Sequence, residues 1–382
     1  MLRDELAGWL RLALTPGVGA TSARKLLAAF GLPDQVLRQS ARALEQVVSS
    51  AQATALGREP PELNALLDIT LQWLEGSQDG GAHRRIVTLG DAAYPHQLLE
   101  MTDPPLMLHV LGAPQFDLSQ LGQSVAVVGS RNPTPQGIAN AQAFSQALGD
   151  AGLVVVSGMA LGIDGAAHEG ALASRGTIDR PATVAVVGTG LDRVYPARHR
   201  ALAHAIAERG LIVSEFMLGT PPLAQNFPKR NRIIAGLSRG TLVVEAALAS
   251  GSLVTARLAV EQGKEVFAIP GSIHSLQSRG CHALLREGAK LVESVQDILE
   301  ELQSSAPAVG ASSGSTFKAT ESPEATEDPL LDALGYDAVS LDALVARTGW
   351  SVPELQVKLL NLELDGAIAR LPGGLFQRVA TA

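Results

Sequence analysis

The sequence predicts an α/β protein, a mostly parallel sheet covered by helices on both faces, with a small helical domain before it and a winged-helix domain after it. Three observations carry this. Residues 124–300 alternate short β-branched runs with segments of helical spacing, the pattern of βαβ crossovers. Residues 1–78 show helical periodicity and no convincing strand. The last part of the chain reads as three helical patterns and a hairpin.

Taken in order, the first segment, MLRDELAGWLRLALTPG, carries Asp4, Glu5 and Arg11 inside its apolar pattern, so it reads as an amphipathic helix and not as a signal peptide. Thr15-Pro16-Gly17-Val18-Gly19-Ala20 lies between two helical segments and matches a helix-hairpin-helix turn, with Arg24 and Lys25 following. Such a turn can aim amides at a DNA phosphate, and it equally suits a purely structural helical hairpin. Residues 84–123 form an irregular lead-in holding RRIVTLG, AAYPHQLL and DPPLMLHVLG. The core then runs SVAVV, LVVVS, TVAVV, LIVSE, TLVVE and EVFAI as strands. Residues 303–327 are rich in Ser, Ala, Thr, Gly and Pro and read as a flexible linker. After it come DPLLDALG, SLDALVART and VPELQVKLLNLELDGA, then a hairpin turned at Pro372-Gly373-Gly374. The domains are therefore 1–80 (helical), 84–302 (sheet core), 303–327 (linker) and 328–382 (winged helix).

The chain has 382 residues and a net charge of −8, with 30 Lys and Arg against 38 Asp and Glu. Taken as an average, this argues against a nucleic-acid partner. Counted by segment it does not: residues 1–123 hold 9 basic and 13 acidic side chains, residues 124–300 hold 16 and 14, and residues 301–382 hold 5 and 11. The acidity belongs to the flanks. A single cysteine, Cys281, excludes an internal disulfide and a Cys-rich zinc site and fits a reducing, cytoplasmic setting. No stretch reaches the ~18 apolar residues of a membrane span, and no metal or cofactor is expected.

The strand SVAVV runs into Gly129-Ser130-Arg131-Asn132-Pro133 and then a helix from about Gly137. A strand-loop-helix turn presents amides and Ser130 to an anion, and Arg131 adds a bidentate phosphate donor. A plain βα turn fits the Gly-Ser pair as well. Gly188-Thr189-Gly190-Leu191-Asp192-Arg193 ends in Arg where a dinucleotide fingerprint needs its third glycine, and Gly263-Lys264 is followed by Glu265, so neither a nicotinamide nor a Walker-type ATP site is expected. Asn226-Phe227-Pro228-Lys229-Arg230-Asn231-Arg232 puts three cations within four residues next to an aromatic. That combination suits a nucleic-acid strand, the cations following its backbone and Phe227 stacking a base. A solvated helix start with Phe227 in the core is the other reading. Asp164 and His168 fall at i,i+4 but have no nucleophile in fixed spacing, so a cap-and-core role is expected. Ser250-Gly251-Ser252 and Pro270-Gly271-Ser272 are further turns at strand ends, where open α/β sheets bind ligands. In the winged helix the recognition segment Val352–Asp365 has only Lys358 against Glu354, Glu363 and Asp365, a poor surface for groove docking.

The ordered series VGSRNPTPQG, SGMALGIDGAAHEGAL, VVGTGLDRVYPARH, SEFMLGTPPLAQNFPKRNRIIAGLS, SGSLVTARLA and IPGSI resembles the bacterial DNA processing protein A family, over about residues 84–300. One departure is His282, where the family commonly has Asn. The resemblance implies an extended Rossmann-like core, an N-terminal SAM-like helical domain, single-stranded DNA as ligand, a homodimer formed through the core, and loading of the RecA recombinase during natural transformation, with no catalytic residues. It implies that Gly129, Ser130 and Arg131 hold phosphates, that Phe227 meets a base, and that Lys229, Arg230 and Arg232, with Asn231, line a positively charged pocket. Ser250, Gly251 and Ser252 are expected in the same pocket. Gly17, Gly19, Arg24 and Lys25 are candidates for an accessory contact, including one to double-stranded DNA. A nucleotide-processing alternative, like the lysine-decarboxylase-like phosphoribohydrolases, would rest on Glu245 in RGTLVVE, which lacks the Pro-Gly-Gly lead of that group. A third reading makes the acidic tail a protein-binding adaptor.

Overall fold

The computed structural model describes residues 2–76, 82–176, 179–304, 328–335, 338–371 and 373–379. The linker expected at 303–327 lies, from residue 305 on, outside the described residues, as does Pro372 of the predicted hairpin turn.

The N-terminal part folds as α1 (Arg3–Leu14), α2 (Ala20–Phe30), α3 (Pro33–Leu37), α4 (Ala41–Leu44), α5 (Ser50–Leu56) and α6 (Leu63–Glu75). Leu12, Val18, Leu26, Val36 and Leu56 form one apolar cluster, and Leu6, Trp9, Leu10, Leu63 and Leu67 form a second that also takes in Met107 of the sheet. The helical part is thus packed onto the core and not tethered beside it.

The lead-in to the core holds two strands, β1 (His83–Thr88) and β2 (Met107–Gly112), flanking α7 (His96–Leu99). They pair antiparallel, and β2 continues antiparallel onto β6 (Leu211–Ser214). The segment expected to be irregular is therefore the antiparallel edge of the sheet. Its apolar residues did not alternate with polar ones because β2 is buried along nearly its whole length. The six expected strands are β3 (Ser124–Val128), β4 (Val154–Ser157), β5 (Thr183–Val186), β6, β7 (Gly240–Val243) and β8 (Glu265–Ala268), followed by a two-residue β9 (Lys290–Leu291). Among the described residues they make one nine-stranded sheet in the order β1-β2-β6-β5-β4-β3-β7-β8-β9, parallel from β6 to β9.

Alternation along each strand divides two cores. Val125 and Val127 of β3 face a cluster with α8 (Pro135–Asp150), α9 (Ile163–Ala173) and α14 (Val295–Ser304). Ala126 and Val128 face another with α7, α11 (Asn226–Leu237), α12 (Ser252–Glu261) and α13 (Arg279–Arg286). Helix α10 (Arg200–Arg209) covers β5 and β6 on the α9 side, its Ile206 packing with Ala185 and Ile212. From β3 the chain moves outward through α8 to β4, and from β7 outward through α12 to β8. The connections after β3 and β7 therefore leave in opposite directions on opposite faces. This divergence opens a crevice at the carboxyl ends of those strands.

At the C-terminal end, α15 (Pro329–Leu334), β10 (Val339–Ser340), α16 (Leu341–Thr348), α17 (Val352–Leu364), β11 (Ile368–Leu371) and β12 (Leu375–Arg378) form a winged helix with its own core of Leu330, Leu344, Leu355, Leu359, Ile368 and Phe376. The strand order is β10-β12-β11, with Gly373 and Gly374 at positive φ in the turn between β11 and β12. No helix among the described residues is long and apolar enough to cross a membrane.

Candidate nucleic-acid interface

A cavity of about 720 Å³ occupies the crevice between the β3 and β7 ends. Gly129, Ser130, Arg131 and Asn132 line it from the turn after β3, Asp164 from α9, Ser250, Gly251 and Ser252 from the turn before α12, and Phe227, Arg230, Asn231 and Ile234 from α11. Segments separated by more than a hundred residues in the chain thus meet at one sheet edge.

Gly129 is required by contact. A Cβ there would stand 2.7 Å from Ile163 Cγ1 and 2.8 Å from the Glu245 carbonyl oxygen. Three of the turn's amides, however, are taken by partners within the protein. Ser130 N–H donates to the Glu245 carbonyl (2.7 Å), Asn132 N–H to Ser130 Oγ (3.1 Å) and Thr134 N–H to Glu245 Oε2 (2.9 Å). Helix α8 starts at Pro135, capped by Thr134, whose hydroxyl also donates to Glu245 Oε1 at 2.5 Å. The anion at the α8 N-terminus is therefore the protein's own Glu245 carboxylate, which holds the position expected for a phosphate. Burial raises the Glu245 pKa, opposed by the Thr134 hydrogen bonds. The Arg131 side chain is exposed, and its guanidinium carbon stands 5.6 Å from the centroid of the Phe227 ring.

Helix α11 sorts its cations by period. Phe227, Arg230, Asn231 and Ile234 share the face toward the cavity, spaced i, i+3, i+4 and i+7. Lys229 and Arg232 point elsewhere, which corrects the expectation that both line the pocket. Arg232 is held by Glu215 (2.5 Å) and Asp103 (3.2 Å), with 14% of its side chain exposed. Lys229 is exposed outside the cavity lining. Arg230 does reach the cavity, but as part of its floor. It is 3% exposed and donates to the carbonyl oxygens of Gly158 (2.5 Å) and Val186. Burial pulls its pKa down to about 10, partly offset by Asp164. Asp164, itself shifted upward by burial and restrained by Arg230, accepts from Ala160 N–H at 3.2 Å. Its i,i+4 neighbour His168 bonds Thr183 Oγ1 at 2.7 Å inside the core, so the two form no acid–base pair.

Phe227 is half-buried, and Tyr195 stands 5.7 Å away at an interplanar angle of 33°. Tyr195 is 46% exposed and lines the cavity, a role not read from the sequence. Its motif, VYPARH, was visible, but nothing local places an aromatic after β5 next to one on α11. Asn132, Thr255 and Gln277 also line the cavity unforeseen. Pro270, Gly271 and Ser272 are absent from its lining.

The accessory residues stay apart from this cavity. Gly17 has φ +79° in the α1–α2 turn, and its carbonyl accepts from Gln52 Nε2 at 2.7 Å. Gly19 caps α2, Arg24 donates to the Met101 carbonyl at 3.0 Å, and Lys25 is exposed. In the winged helix, Lys358 lies over the Trp350 ring at 4.6 Å, and α17 exposes Val357, Leu360 and Leu364 instead of cations. Among the described residues no cluster of His, Cys, Asp or Glu could hold a metal.

A sequence model of the family described as DNA recombination-mediator protein A matches residues 85–303, and one described as DprA winged helix domain matches residues 316–374. The chain belongs to the DNA recombination-mediator protein A family. Protein Smf of Escherichia coli K12 is 43% identical over 312 residues, 81% of this chain and 80% of that one. DNA processing protein DprA of Streptococcus pneumoniae R6 is 48% identical over 213 residues, 56% and 72% of the two chains. The crystal structure of the S. pneumoniae protein superposes with a TM-score of 0.61 at 37% identity, covering 79% of this chain and 98% of that one. DNA processing protein A from Helicobacter pylori, whose structure was described for its single-stranded DNA binding mode, superposes with a TM-score of 0.50 at 32% identity, covering 58% and 97%. The cavity of this family member lies inside the stretch matched by the core model.

Proposed function

We propose that this chain binds single-stranded DNA in the cavity between β3 and β7 and acts as a recombination mediator, protecting incoming strands and loading a RecA-type recombinase during natural transformation. The observation that carries the binding step is the cluster of Arg131, Phe227 and Tyr195 at the cavity mouth. A guanidinium over an aromatic ring, with a second exposed ring beside it, provides a phosphate contact and a base-stacking surface within one nucleotide's reach. The hydroxyls of Ser250 and Ser252, 2.7 Å apart, and the Asn231 amide one turn along α11 from Phe227 add polar groups to the lining. Single-strand binding by the H. pylori relative supports the same reading.

Mobility-shift titrations at two salt concentrations test it. Arg131→Ala is expected to lower the slope of log K against log salt by about 0.7, one phosphate contact on a single strand. Phe227→Ala is expected to cost about 1–3 kcal/mol with the slope unchanged. Unchanged affinity in both variants would refute the assignment. Glu245, on which the phosphoribohydrolase-like alternative depends, is tied to Thr134 and does not line the cavity, which favours the mediator reading over an enzymatic one. A cytoplasmic homodimer formed through the Rossmann-like core belongs to the same proposal. Light scattering of the purified chain checks the dimer, and RecA filament assembly on strands coated with single-strand-binding protein checks the loading step.

A further inference from the structure

We propose that the strand held in the cavity leaves it across Tyr195 and along a basic ramp of Arg198, Arg200 and His204 on the flank of α10. This rests on the reading of the cavity as a single-strand site and adds a direction and a minimum length to it. Residues 193–207 contain no carboxylate, although the whole chain is acidic. Tyr195 lines the cavity with 46% of its surface exposed, and just beyond it the chain makes a short 3-10 turn, Ala197–His199, into α10. His199 Nδ1 lies 3.0 Å from the Met159 carbonyl oxygen, which anchors that turn beside the end of β4. Because α10 connects β5 to the parallel β6, it begins at the sheet edge where the cavity opens.

Arg198, Arg200 and His204 are exposed, and the last two are one helical turn, about 5.4 Å, apart on one face. The side chains of Arg198 and Arg200 have no ion pair or hydrogen bond among the described residues. Arg193 and Arg232, by contrast, are paired with Asp192 and Glu215. Cations the fold does not use, continuous with an exposed aromatic at the cavity mouth, match the spaced phosphates and stacking bases of a single strand.

The test compares oligothymidylates on the order of 4 and 16 nucleotides on the full-length chain. For Arg198→Ala/Arg200→Ala the long strand should lose affinity by about tenfold at low salt, with the salt slope reduced by about 1.4, and the short strand should bind as before. Arg131→Ala should weaken both lengths. Arg198→Glu/Arg200→Glu should enlarge the long-strand loss, while the melting temperature stays unchanged because both side chains are exposed. Unchanged long-strand binding in the double variant overturns the ramp and leaves the cavity standing. If Arg131→Ala alters neither length, the cavity reading fails and the ramp falls with it.

Discussion

At the scale of single residues, neighbouring arginines of α11 do different work. Arg232 balances Glu215, whose pKa burial raises and Arg232 restrains. Arg232→Ala leaves a largely buried carboxylate without its partner and should cost about 2–3 kcal/mol in chemical denaturation. The salt slope of DNA binding should hold, the reverse of the Arg131→Ala pattern. His109 and His168 are fully buried, and burial depresses their pKa values to about 4 and about 3. An unfolded histidine titrates near 6.5, so below that pH the unfolded chain takes up protons that the folded chain refuses. The stability these two sites provide is intact above about 6.5 and falls as pH drops toward 4. Urea midpoints at neutral pH and near pH 5 should separate accordingly, and His109→Leu should narrow the gap. His109 packs edge-on to Trp73 of α6 inside the core, so an apolar replacement keeps the site filled.

At the scale of elements, the phosphate-like position at the start of α8 is taken by Glu245 from beyond β7. This contact locks the two strands whose ends form the cavity. Glu245→Ala removes two hydrogen bonds from the α8 start and should lower stability by about 1–2 kcal/mol in thermal or urea melts. Helices α8 and α9 approach so closely that a Cβ at Gly170 would stand 2.1 Å from the Gln142 carbonyl oxygen. That neighbour is backbone and cannot rotate away. Gly170→Ala should cost about 1–3 kcal/mol or prevent folding, read by circular dichroism of the expressed protein. The helix α17 surface argues in a different direction. Its exposed Val357, Leu360 and Leu364 and its stacked Lys358 offer little to a DNA groove.

At the scale of the whole molecule, charge and function are unevenly distributed. All the cavity-lining residues fall between Val128 and Gln277, within the part of the chain that carries a small positive excess. Removing residues 303–382 should therefore leave the affinity for single strands and its salt slope unchanged in the same titration. If recombinase loading is lost with that deletion, the acidic C-terminal part works through proteins. The expected linker lies largely outside the described residues, while the N-terminal helices share Met107 and Leu106 with the core and are integral to it.

The α/β class, the six central strands and the winged helix were legible in the sequence, because period and β-branching are local properties of the chain. The antiparallel edge, β1 and β2, was not: β2, buried along nearly its whole length, loses the alternation that marks a strand. The same limit applied at the site. Local composition marked Gly129–Arg131, Phe227 and Ser250–Ser252, and the crevice gathered them. Which of Lys229, Arg230 and Arg232 faces the cavity depended on the phase of α11, and the carboxylates that claimed Arg232 came from Asp103 and Glu215. Tyr195 reached Phe227 only through the order of strands in the sheet. Residue chemistry and periodicity are written along the chain, whereas the direction of a side chain and the partner that neutralises it are set by segments far away in sequence, and only the packed fold brings those together.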